Sequence, residues 1–442
     1  MLGLDIDLPK TSGVNSKLIT ISEDKAADDN NHRDGESSDR YSYSQVVSSS
    51  QYDSRESMKA PTLKSSDKSG SWKTESDASS ETELYLKVER DQPLTIVTKS
   101  GDHVAYRYHS KLAEGAYGQV LLYKTDVKGD KYPKELCIKV ALRLGDLDAD
   151  MKILEHIGST KLNGVIPTIP MISEWSNTAT STSTKFAYPI LIMPKMTGTV
   201  KQLFKEIAFP KLVDKYWMIT GVLVSITRAF LSLVEHNIYY TDTKVTNCLY
   251  NLSNSTQTSR SDTEGGNRNR NGNSKGQSGS QPKQLTVLLC DIGGAALGDE
   301  KEAIATFPNI YRKRCHHFVP TSNDLQYGLL MLFFEMMSIT NKALPNMGID
   351  RDSVSALFHQ NILELDLKQR KRTIVEIVTK ISKLPGTNEL IVKFLGKIGN
   401  HLYPENEEKE PKTHLNSLLN IFKTYHEHFS NVSKLSQVIK FK

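Results

Sequence analysis

The sequence is poor in the features that mark secreted, membrane-spanning or nucleic-acid-binding proteins. Its 442 residues include only four cysteines, which lie far apart and form no C-x-x-C pair, so neither a disulfide framework nor a zinc cluster is expected. No stretch approaches the ~18 uninterrupted apolar residues of a membrane span, and the acidic start MLGLDIDLPKTS lacks the apolar core of a secretory signal. The net charge of +5 is too small to indicate nucleic-acid or membrane binding. We therefore expect reduced thiols and a cytoplasmic location, with the nucleus as the alternative.

Apolar residues are also scarce, at 38% of the chain, which suggests that part of it does not fold. Residues 1–82 are rich in Ser, Asp, Lys and Asn, and such a segment cannot bury enough apolar surface to offset its ordering entropy. We predict a disordered tail there, whose serines are either phosphorylation sites or plain solvated residues, and which offers a place for a regulatory partner. The Asn, Ser, Gly and Arg content of residues 251–284 predicts a flexible insertion.

The rest of the chain changes from strand-like to helix-like patterns along its length. From residue 83, short β-branched and aromatic runs separated by turn-like segments predict an antiparallel sheet. DLDADMKILEHI is then predicted to be helical, and YPILIMP adds a strand. After that helices dominate, and residues 324–338, DLQYGLLMLFFEMMS, are apolar all round, as in a buried helix. The predicted fold class is α+β and bilobal, with a small antiparallel β lobe over 83–196 and a larger helical lobe over 197–442.

Two segments of the β lobe carry residues that can hold phosphate. LAEGAYGQV places Gly115 and Gly118 between two strands, where backbone N–H groups can approach phosphate oxygens with no Cβ in the way. A hairpin turn is the commoner meaning of such glycines. Lys139, in the strand CIKV, could hold phosphates as a point charge, although taken alone an ordinary edge-strand lysine is the simpler interpretation.

Two segments of the helical lobe place polar residues beside strands. YYTDTKVTNCLY follows a long helical pattern and spaces Asp242, Lys244 and Asn247 at offsets 0, +2 and +5. Beyond the insertion, the strand LTVLLCDIGGA ends in Asp291 followed by isoleucine and glycine. An acid at such a strand end is well placed to coordinate a metal ion.

In this order, the segments resemble the motifs of the eukaryotic protein kinase superfamily over residues 100–335. EGAYGQV resembles the Gly-rich loop, CIKV the strand of the phosphate-binding lysine, and TDTKVTN the catalytic loop. CDIGG resembles the metal-binding motif, and SNDLQYGLLM, with Asp324 and Gly328, resembles the central helix of the large lobe. The chain is similar to a divergent member of the Ser/Thr branch, because Lys244 stands two residues after the catalytic acid.

The resemblance implies ATP and Mg²⁺ as cofactors and a protein as the phosphate acceptor, with neither nucleic acid nor membrane as a partner. It implies that Asp242 accepts the proton of the substrate hydroxyl and that Lys244 offsets charge on the γ-phosphate. Asn247 and Asp291 would bind Mg²⁺, and Lys139 would hold the α- and β-phosphates. The residues implied to surround the nucleotide, with Met193 as gatekeeper in the hinge ILIMPKM, are Ala113, Gly115, Gly118, Val120, Met193, Pro194, Met196 and Leu249.

The chain departs from the family pattern at several positions. Asp150 stands where the family has the helix glutamate that pairs with the strand lysine, and Glu155, more than a turn later, is the competing candidate. Tyr240 and Thr241 replace the His-Arg pair before the catalytic acid, so a phosphate in the activation segment would lack its arginine. We therefore expect activity without phosphorylation of that segment. The Ala-Pro-Glu motif is degenerate, around residues 319–321.

These departures leave three functional interpretations. The first is an active protein Ser/Thr kinase, which we favour because four residues essential to phosphoryl transfer are kept. The second is a pseudokinase, in which the same fold serves as a nucleotide-binding scaffold or regulatory module. The third and least favoured is a small-molecule kinase on a related fold. The four retained residues are Lys139, Asp242, Asn247 and Asp291.

Overall fold

The computed structural model of the chain divides into two compact units. One comprises Met1–Leu147 with Ile169–Pro194, and the other Asp148–Thr168 with Lys195–Lys442. The predicted tail, the strand predicted at 83–89 and the predicted activation segment beyond residue 298 lie outside the described residues. The structure describes residues 93–97, 102–115, 117–128, 131–142, 145–176, 185–254, 282–298, 322–340, 367–401 and 410–442.

The first unit, called here the β unit, is one antiparallel sheet of six strands in the order β1-β2-β3-β4-β6-β5. Alternate side chains of its second strand are buried, Val104 and Tyr106 among them, as the period of two requires. The strand that the sequence patterns missed, IPMISEWS, lies at the sheet edge, where the proline at 170 costs no essential ladder bond. The strands are β1 (Leu94–Val97), β2 (His103–Glu114), β3 (Gly118–Lys124), β4 (Glu135–Ala141), β5 (Ile169–Ser176) and β6 (Lys185–Pro194).

The second unit, called here the helical unit, is built around two buried helices. Leu212–Val234 is long and apolar enough to cross a membrane by composition alone, but 78% of that apolar window is buried inside the protein, as in a core helix. The buried helix predicted at 324–338 is confirmed and begins two residues earlier. The helices are α1 (Asp148–Ile157), α2 (Val200–Glu206), α3 (Leu212–Val234), α4 (Ser322–Ser338), α5 (Leu367–Ser382), α6 (Glu389–His401), α7 (Pro411–Ser430) and α8 (Leu435–Val438).

Short strands complete the helical unit. Four form a sheet in the order β12-β10-β9-β7, and two more pair as β11-β8. The β9–β10 pair runs from Cys248 opposite Leu289 to Asn254 opposite Lys283, so both ends of the predicted insertion are strand and not flexible. The strands are β7 (Gly198–Thr199), β8 (Ile238–Tyr240), β9 (Cys248–Asn254), β10 (Lys283–Leu289), β11 (Ala295–Leu297) and β12 (Ile439–Phe441).

The predicted fold class, α+β with two units, is confirmed: a small antiparallel β unit is followed along most of the chain by a larger helical unit. One boundary differs from the prediction. Helix α1, which the sequence patterns assigned to the β lobe, groups with the helical unit. The reason is local, because the Asp150 side chain accepts a hydrogen bond from the Gly293 N–H in that unit.

Candidate active site

Helix α4 supports the loop between β8 and β9, residues 241–247, through a hydrogen bond and a close contact. The Val245 N–H donates to Glu335 Oε2 at 2.8 Å. Gly328 lets the loop approach the helix, since a Cβ at that position would lie 2.9 Å from Thr243 Oγ1. Gly328 and Glu335 therefore fix the position of the loop on this helix.

The three polar residues of the loop are brought together by hydrogen bonds to one carboxylate oxygen. Lys244 Nζ donates to Asp242 Oδ2 at 2.7 Å, and Asn247 Nδ2 donates to the same oxygen at 2.8 Å. Asn247 Nδ2 also reaches the Asp242 main-chain carbonyl at 3.1 Å. Asp242 itself is only 7% exposed. Its Oδ1 accepts no hydrogen bond from the described residues, so a carboxylate fixed on one side keeps one oxygen for a substrate.

Burial and neighbouring charges act on both ionisable groups of this loop. Burial raises the pKa of Asp242 above its ordinary value, Lys244 and Asn247 partly oppose the rise, and the Asp291 carboxylate adds to it. A higher pKa makes a carboxylate a better proton acceptor. Burial on its own lowers the pKa of Lys244, but the attraction of Asp242 outweighs it and the net shift is upward. Lys244 is therefore a cation at neutral pH.

Asp291 follows β10 and precedes a single 3-10 turn, Ile292–Gly294. Its backbone is left-handed, with φ 61° and ψ 61°, a region that Asp tolerates better than most residues. The Cys290 N–H donates to the Asn247 carbonyl at 2.9 Å, which joins the Asp291 segment to the end of the catalytic loop. The two strands β9 and β10 thus place both predicted metal ligands on adjacent chain segments.

The donor set fits a magnesium ion. A carboxylate at Asp291 and an amide oxygen at Asn247 are hard oxygen ligands, and Mg²⁺ is commonly held by one or two carboxylates together with substrate phosphates. Asn247 Oδ1 accepts no hydrogen bond from the described part of the chain. The negative charge of Asp291 makes ionisation of Asp242 less favourable, and a bound cation would offset the repulsion between the two carboxylates. Within the described ranges no three His, Cys, Asp or Glu residues cluster as in a closed metal site.

Two residues that the sequence marked only as departures hold the turn after Asp291. The Tyr240 hydroxyl donates to the Cys290 carbonyl at 2.9 Å. The Thr241 N–H and Oγ1 both donate to the Gly294 carbonyl, at 3.1 and 2.9 Å. These bonds need no charge and no phosphate. No sequence pattern revealed them, because the partners lie about 50 residues apart along the chain.

The two acidic residues of α1 that the sequence offered as candidates, Asp150 and Glu155, differ in exposure. Asp150 is 4% exposed and accepts the Gly293 N–H at 3.2 Å, whereas Glu155 is exposed. Gly293 is required for this approach, since a Cβ there would lie 2.5 Å from the Asp150 carboxylate. Asp150 is therefore the inward-facing acid of α1. Its pairing with Lys139 stays a prediction.

In the β unit, strand register collects the predicted phosphate and adenine residues on one face of the sheet. Val120 lies opposite Lys139, and Cys137, two residues from Lys139, lies opposite Met193. Directly opposed and alternate residues share a face. Ala113 lies opposite Val120 and joins the same face. Four predicted nucleotide contacts are therefore neighbours in the sheet.

The glycine-containing turn lies beside Lys139. The Gly115 N–H donates to the Gly118 carbonyl at 2.8 Å, which closes a turn between β2 and β3. At Gly118 a Cβ would lie 2.6 Å from the Val140 carbonyl and 3.7 Å from Lys139 Cε. The hairpin turn, which was the simpler interpretation, is therefore present, and its role in binding phosphate stays a prediction.

The remaining predicted adenine contacts flank the division between the units. Pro194 ends β6, where it lies opposite Leu136 in the β unit. Met196 and Leu249 belong to the helical unit, and the residue after Met196, Thr197, donates its N–H to the Tyr250 carbonyl at 2.9 Å. Both Met196 and Leu249 are partly exposed. Their contact with adenine stays a prediction.

Known proteins offer a likeness at the level of structure and not of sequence. No protein-family model and no curated protein matches the chain. Among solved structures, the ROP18 kinase domain in complex with AMP-PNP and sucrose is similar to it, with 11% identity and a TM-score of 0.42, over 77% of this chain and 87% of that chain. A structural similarity this low does not indicate the function of the chain.

Proposed function

We propose that this chain is an ATP- and Mg²⁺-dependent protein kinase that transfers the γ-phosphate of ATP to Ser or Thr hydroxyls of a protein substrate. The observation that supports the proposal most strongly is the state of Asp242. Its Oδ2 is fixed by Lys244 and Asn247, its pKa is raised, and its Oδ1 has no donor among the described residues. A general base requires this combination of fixed orientation, tuned pKa and a free acceptor oxygen.

The transfer assigns one task to each polar residue of the loop. The hydroxyl oxygen of the substrate forms a bond to the γ-phosphorus while the bond from that phosphorus to the bridging oxygen breaks, and ADP leaves. Asp242 takes the hydroxyl proton on Oδ1. The Lys244 ammonium offsets negative charge on the phosphoryl oxygens. Because little covalent help is needed, positioning and charge neutralisation provide most of the rate enhancement.

Separate sets of residues would hold the metal and the phosphates of the nucleotide. Asn247 and Asp291 would bind Mg²⁺, which supplies neutralisation of the phosphate charge when bound. Lys139 and the turn from Gly115 to Gly118 would hold the phosphates through an ammonium and main-chain N–H groups. The preference for Ser and Thr follows from the resemblance of the Asp242–Lys244 spacing to that branch of the family.

The proposal is tested by incorporation of phosphate from Mg²⁺-ATP into the protein itself or a generic protein substrate. Asp242→Asn keeps the shape of the side chain but removes the base, and we expect turnover to fall by at least about 100-fold. Asp126→Asn is the matched control, because Asp126 is an exposed acid of the β unit with no part in the proposed site.

Two outcomes would contradict the proposal. Equal incorporation by the wild type and Asp242→Asn would exclude Asp242 as the base. Stabilisation of the wild type by ATP in a thermal melt, without turnover, would instead support the alternative of a nucleotide-binding scaffold.

A further inference from the structure

Tyr240 is a fully buried phenol whose hydroxyl stands between the two segments that carry the candidate metal ligands. It lies at the end of β8, with no exposed surface. Its hydroxyl donates to the Cys290 carbonyl at 2.9 Å, one residue before Asp291. The same oxygen accepts from Asn247 Nδ2 at 3.0 Å. A single hydroxyl therefore connects the Asn247 side chain to the main chain beside Asp291.

The Tyr240 hydroxyl has a single proton, and this limits the orientation of the Asn247 side-chain amide. A carbonyl only accepts hydrogen bonds, so the one hydroxyl proton of Tyr240 is committed to Cys290. The Tyr240 oxygen can then only accept, and its neighbour must present an NH₂ group. The Asp242 carboxylate, 2.8 Å from Asn247 Nδ2, also requires an NH₂ donor at this position. The Asp242 main-chain carbonyl, 3.1 Å from Asn247 Nδ2, also accepts, so in the reverse orientation Asn247 Oδ1 would face three acceptors with no proton between them.

The phenol keeps its proton under all ordinary conditions. The phenolic proton of a tyrosine is lost only near pH 10. Tyr240 is thus a permanent donor to Cys290, unlike a histidine, which changes its donor count near neutral pH.

We propose that Tyr240 is a positioning residue for the metal, which helps to fix the Asn247 amide so that Oδ1, which accepts no hydrogen bond from the described residues, is available to Mg²⁺. The inference deepens the proposed kinase function and rests on it. It gives a role to one of the two residues at which the chain leaves the family pattern. Groups that hydrogen-bond to a metal ligand orient that ligand, and their loss commonly weakens metal affinity about 10- to 100-fold.

The first test is metal affinity and not activity. Mn²⁺ replaces Mg²⁺ as a paramagnetic probe, and its binding to the full chain with a non-hydrolysable ATP analogue is followed by water-proton relaxation. Tyr240→Phe removes only the hydroxyl, and we expect Mn²⁺ affinity to fall by about 10-fold or more. Tyr216→Phe is the matched control, because Tyr216 is equally buried in the same unit and its hydroxyl has no partner among the described residues. The control should bind Mn²⁺ as the wild type does.

A second measurement separates orientation of the amide from general loss of structure. In the ¹⁵N spectrum of the metal-free wild type, the Asn247 side-chain NH₂ should exchange slowly with water, and its signal is assigned by its absence in Asn247→Asp. The signal should persist in Tyr216→Phe and lose protection in Tyr240→Phe. High Mg²⁺ should restore turnover of Tyr240→Phe but not of Asp242→Asn.

The outcomes that overturn the inference are distinct from those that overturn the proposed function. If the wild type binds Mn²⁺ with nucleotide and Tyr240→Phe binds it equally well, only the role of Tyr240 is excluded. Rapid exchange of the Asn247 NH₂ in the wild type excludes that role even if the variant fails to fold. If the wild type shows no metal-dependent nucleotide binding, both proposals fail.

Discussion

The helical unit and the β unit hold their candidate residues by different means. In the helical unit, Asp242, Lys244 and Asn247 are linked by side-chain hydrogen bonds of 2.7 and 2.8 Å to one carboxylate oxygen. In the β unit, Lys139 and Val120 are neighbours because their strands are in register. Side-chain bonds fix the direction of individual atoms, whereas register fixes only position and face. The chemistry that needs accurate angles is therefore assigned to the helical unit.

The parts of the protein that support these two groups of candidate residues also differ, since one uses directed hydrogen bonds and the other apolar packing. The loop of residues 241–247 rests on α4, whose end is itself capped by a buried lysine: Lys215 Nζ donates to the Met337 and Ile339 carbonyls at 2.8 and 3.1 Å. A cation at a helix C-terminus satisfies carbonyls that have no helical partner. The β unit instead rests on an apolar cluster that includes Ile96, Tyr106 and Ile138.

The largest expected effect concerns Lys215, the buried lysine that caps the end of α4 in the helical unit. Burial lowers the pKa of Lys215 from its ordinary 10.5 to about 8. Between these values the unfolded chain holds a proton on Lys215 that the folded protein has released, so Lys215 should raise the free energy of unfolding by about 3 kcal/mol across this window. Urea denaturation from pH 7 to 10 of the wild type and of a variant without this lysine measures the contribution. The buried thiol of Cys248, whose pKa is raised by burial, ionises in the unfolded chain within the same window and opposes the rise in both proteins, as the buried tyrosines Tyr216 and Tyr240 do above pH 10.

Lys215→Met is the control for this slope, because it removes the titrating group and keeps an apolar stem of similar length. Its unfolding free energy should lack the rise due to Lys215, so the difference between the wild type and the variant should grow by about 3 kcal/mol across the same pH range. An equal slope in the wild type and the variant would mean that another group titrates there.

The next largest effect tests the contact between α4 and the catalytic loop. In Gly328→Ala the new Cβ would lie 2.9 Å from Thr243 Oγ1, and the loop must shift because Thr243 is short and buried. A displacement near 1 Å at a reacting group costs about 100-fold in turnover, which is the loss we expect in a phosphate-incorporation assay. Gly396→Ala is the matched control in α6, where a Cβ meets nothing within 4 Å. Unchanged turnover in Gly328→Ala would show that the loop does not depend on this contact.

Local patterns in the sequence predicted the elements and the residue types of the site. The offsets of Asp242, Lys244 and Asn247 and the inward position of Asp150 on its helix all follow from spacing over a few residues. The structure confirms that the three loop residues lie together. Patterns of this range also predicted the buried helix at 324–338.

The contacts that the sequence did not reveal join distant positions. Lys215 lies in an apolar helical pattern, and its acceptors are 122 and 124 residues away. The Tyr240 hydroxyl reaches a main-chain carbonyl 50 residues away, and any residue type could have supplied that carbonyl. The pairing of β12 with β10 is likewise set by tertiary packing and not by local propensity. Side-chain identity predicts a donor, but only the fold supplies its partner.

The smallest expected effect tests whether register alone places the phosphate-binding turn of the β unit. Gly118→Ala would put a Cβ 2.6 Å from the Val140 carbonyl, which is main chain and cannot move without opening the β3–β4 pair. Overpacking of this kind should lower the free energy of unfolding by about 2 kcal/mol. Gly115→Ala is the control, because its Cβ would approach nothing nearer than 3.9 Å, and its stability should stay within about 0.5 kcal/mol of the wild type.

The same two variants should differ in nucleotide affinity, measured by titration with an ATP analogue. Since Gly118 lies beside Lys139 Cε, opening the strand pair moves the lysine as well, and affinity should fall in Gly118→Ala but not in Gly115→Ala. If both glycine variants lose affinity equally while only one loses stability, main-chain N–H groups at the turn hold the phosphates independently of Lys139. The β unit would then position its ligand by directed hydrogen bonds, as the helical unit does, and register would not be sufficient.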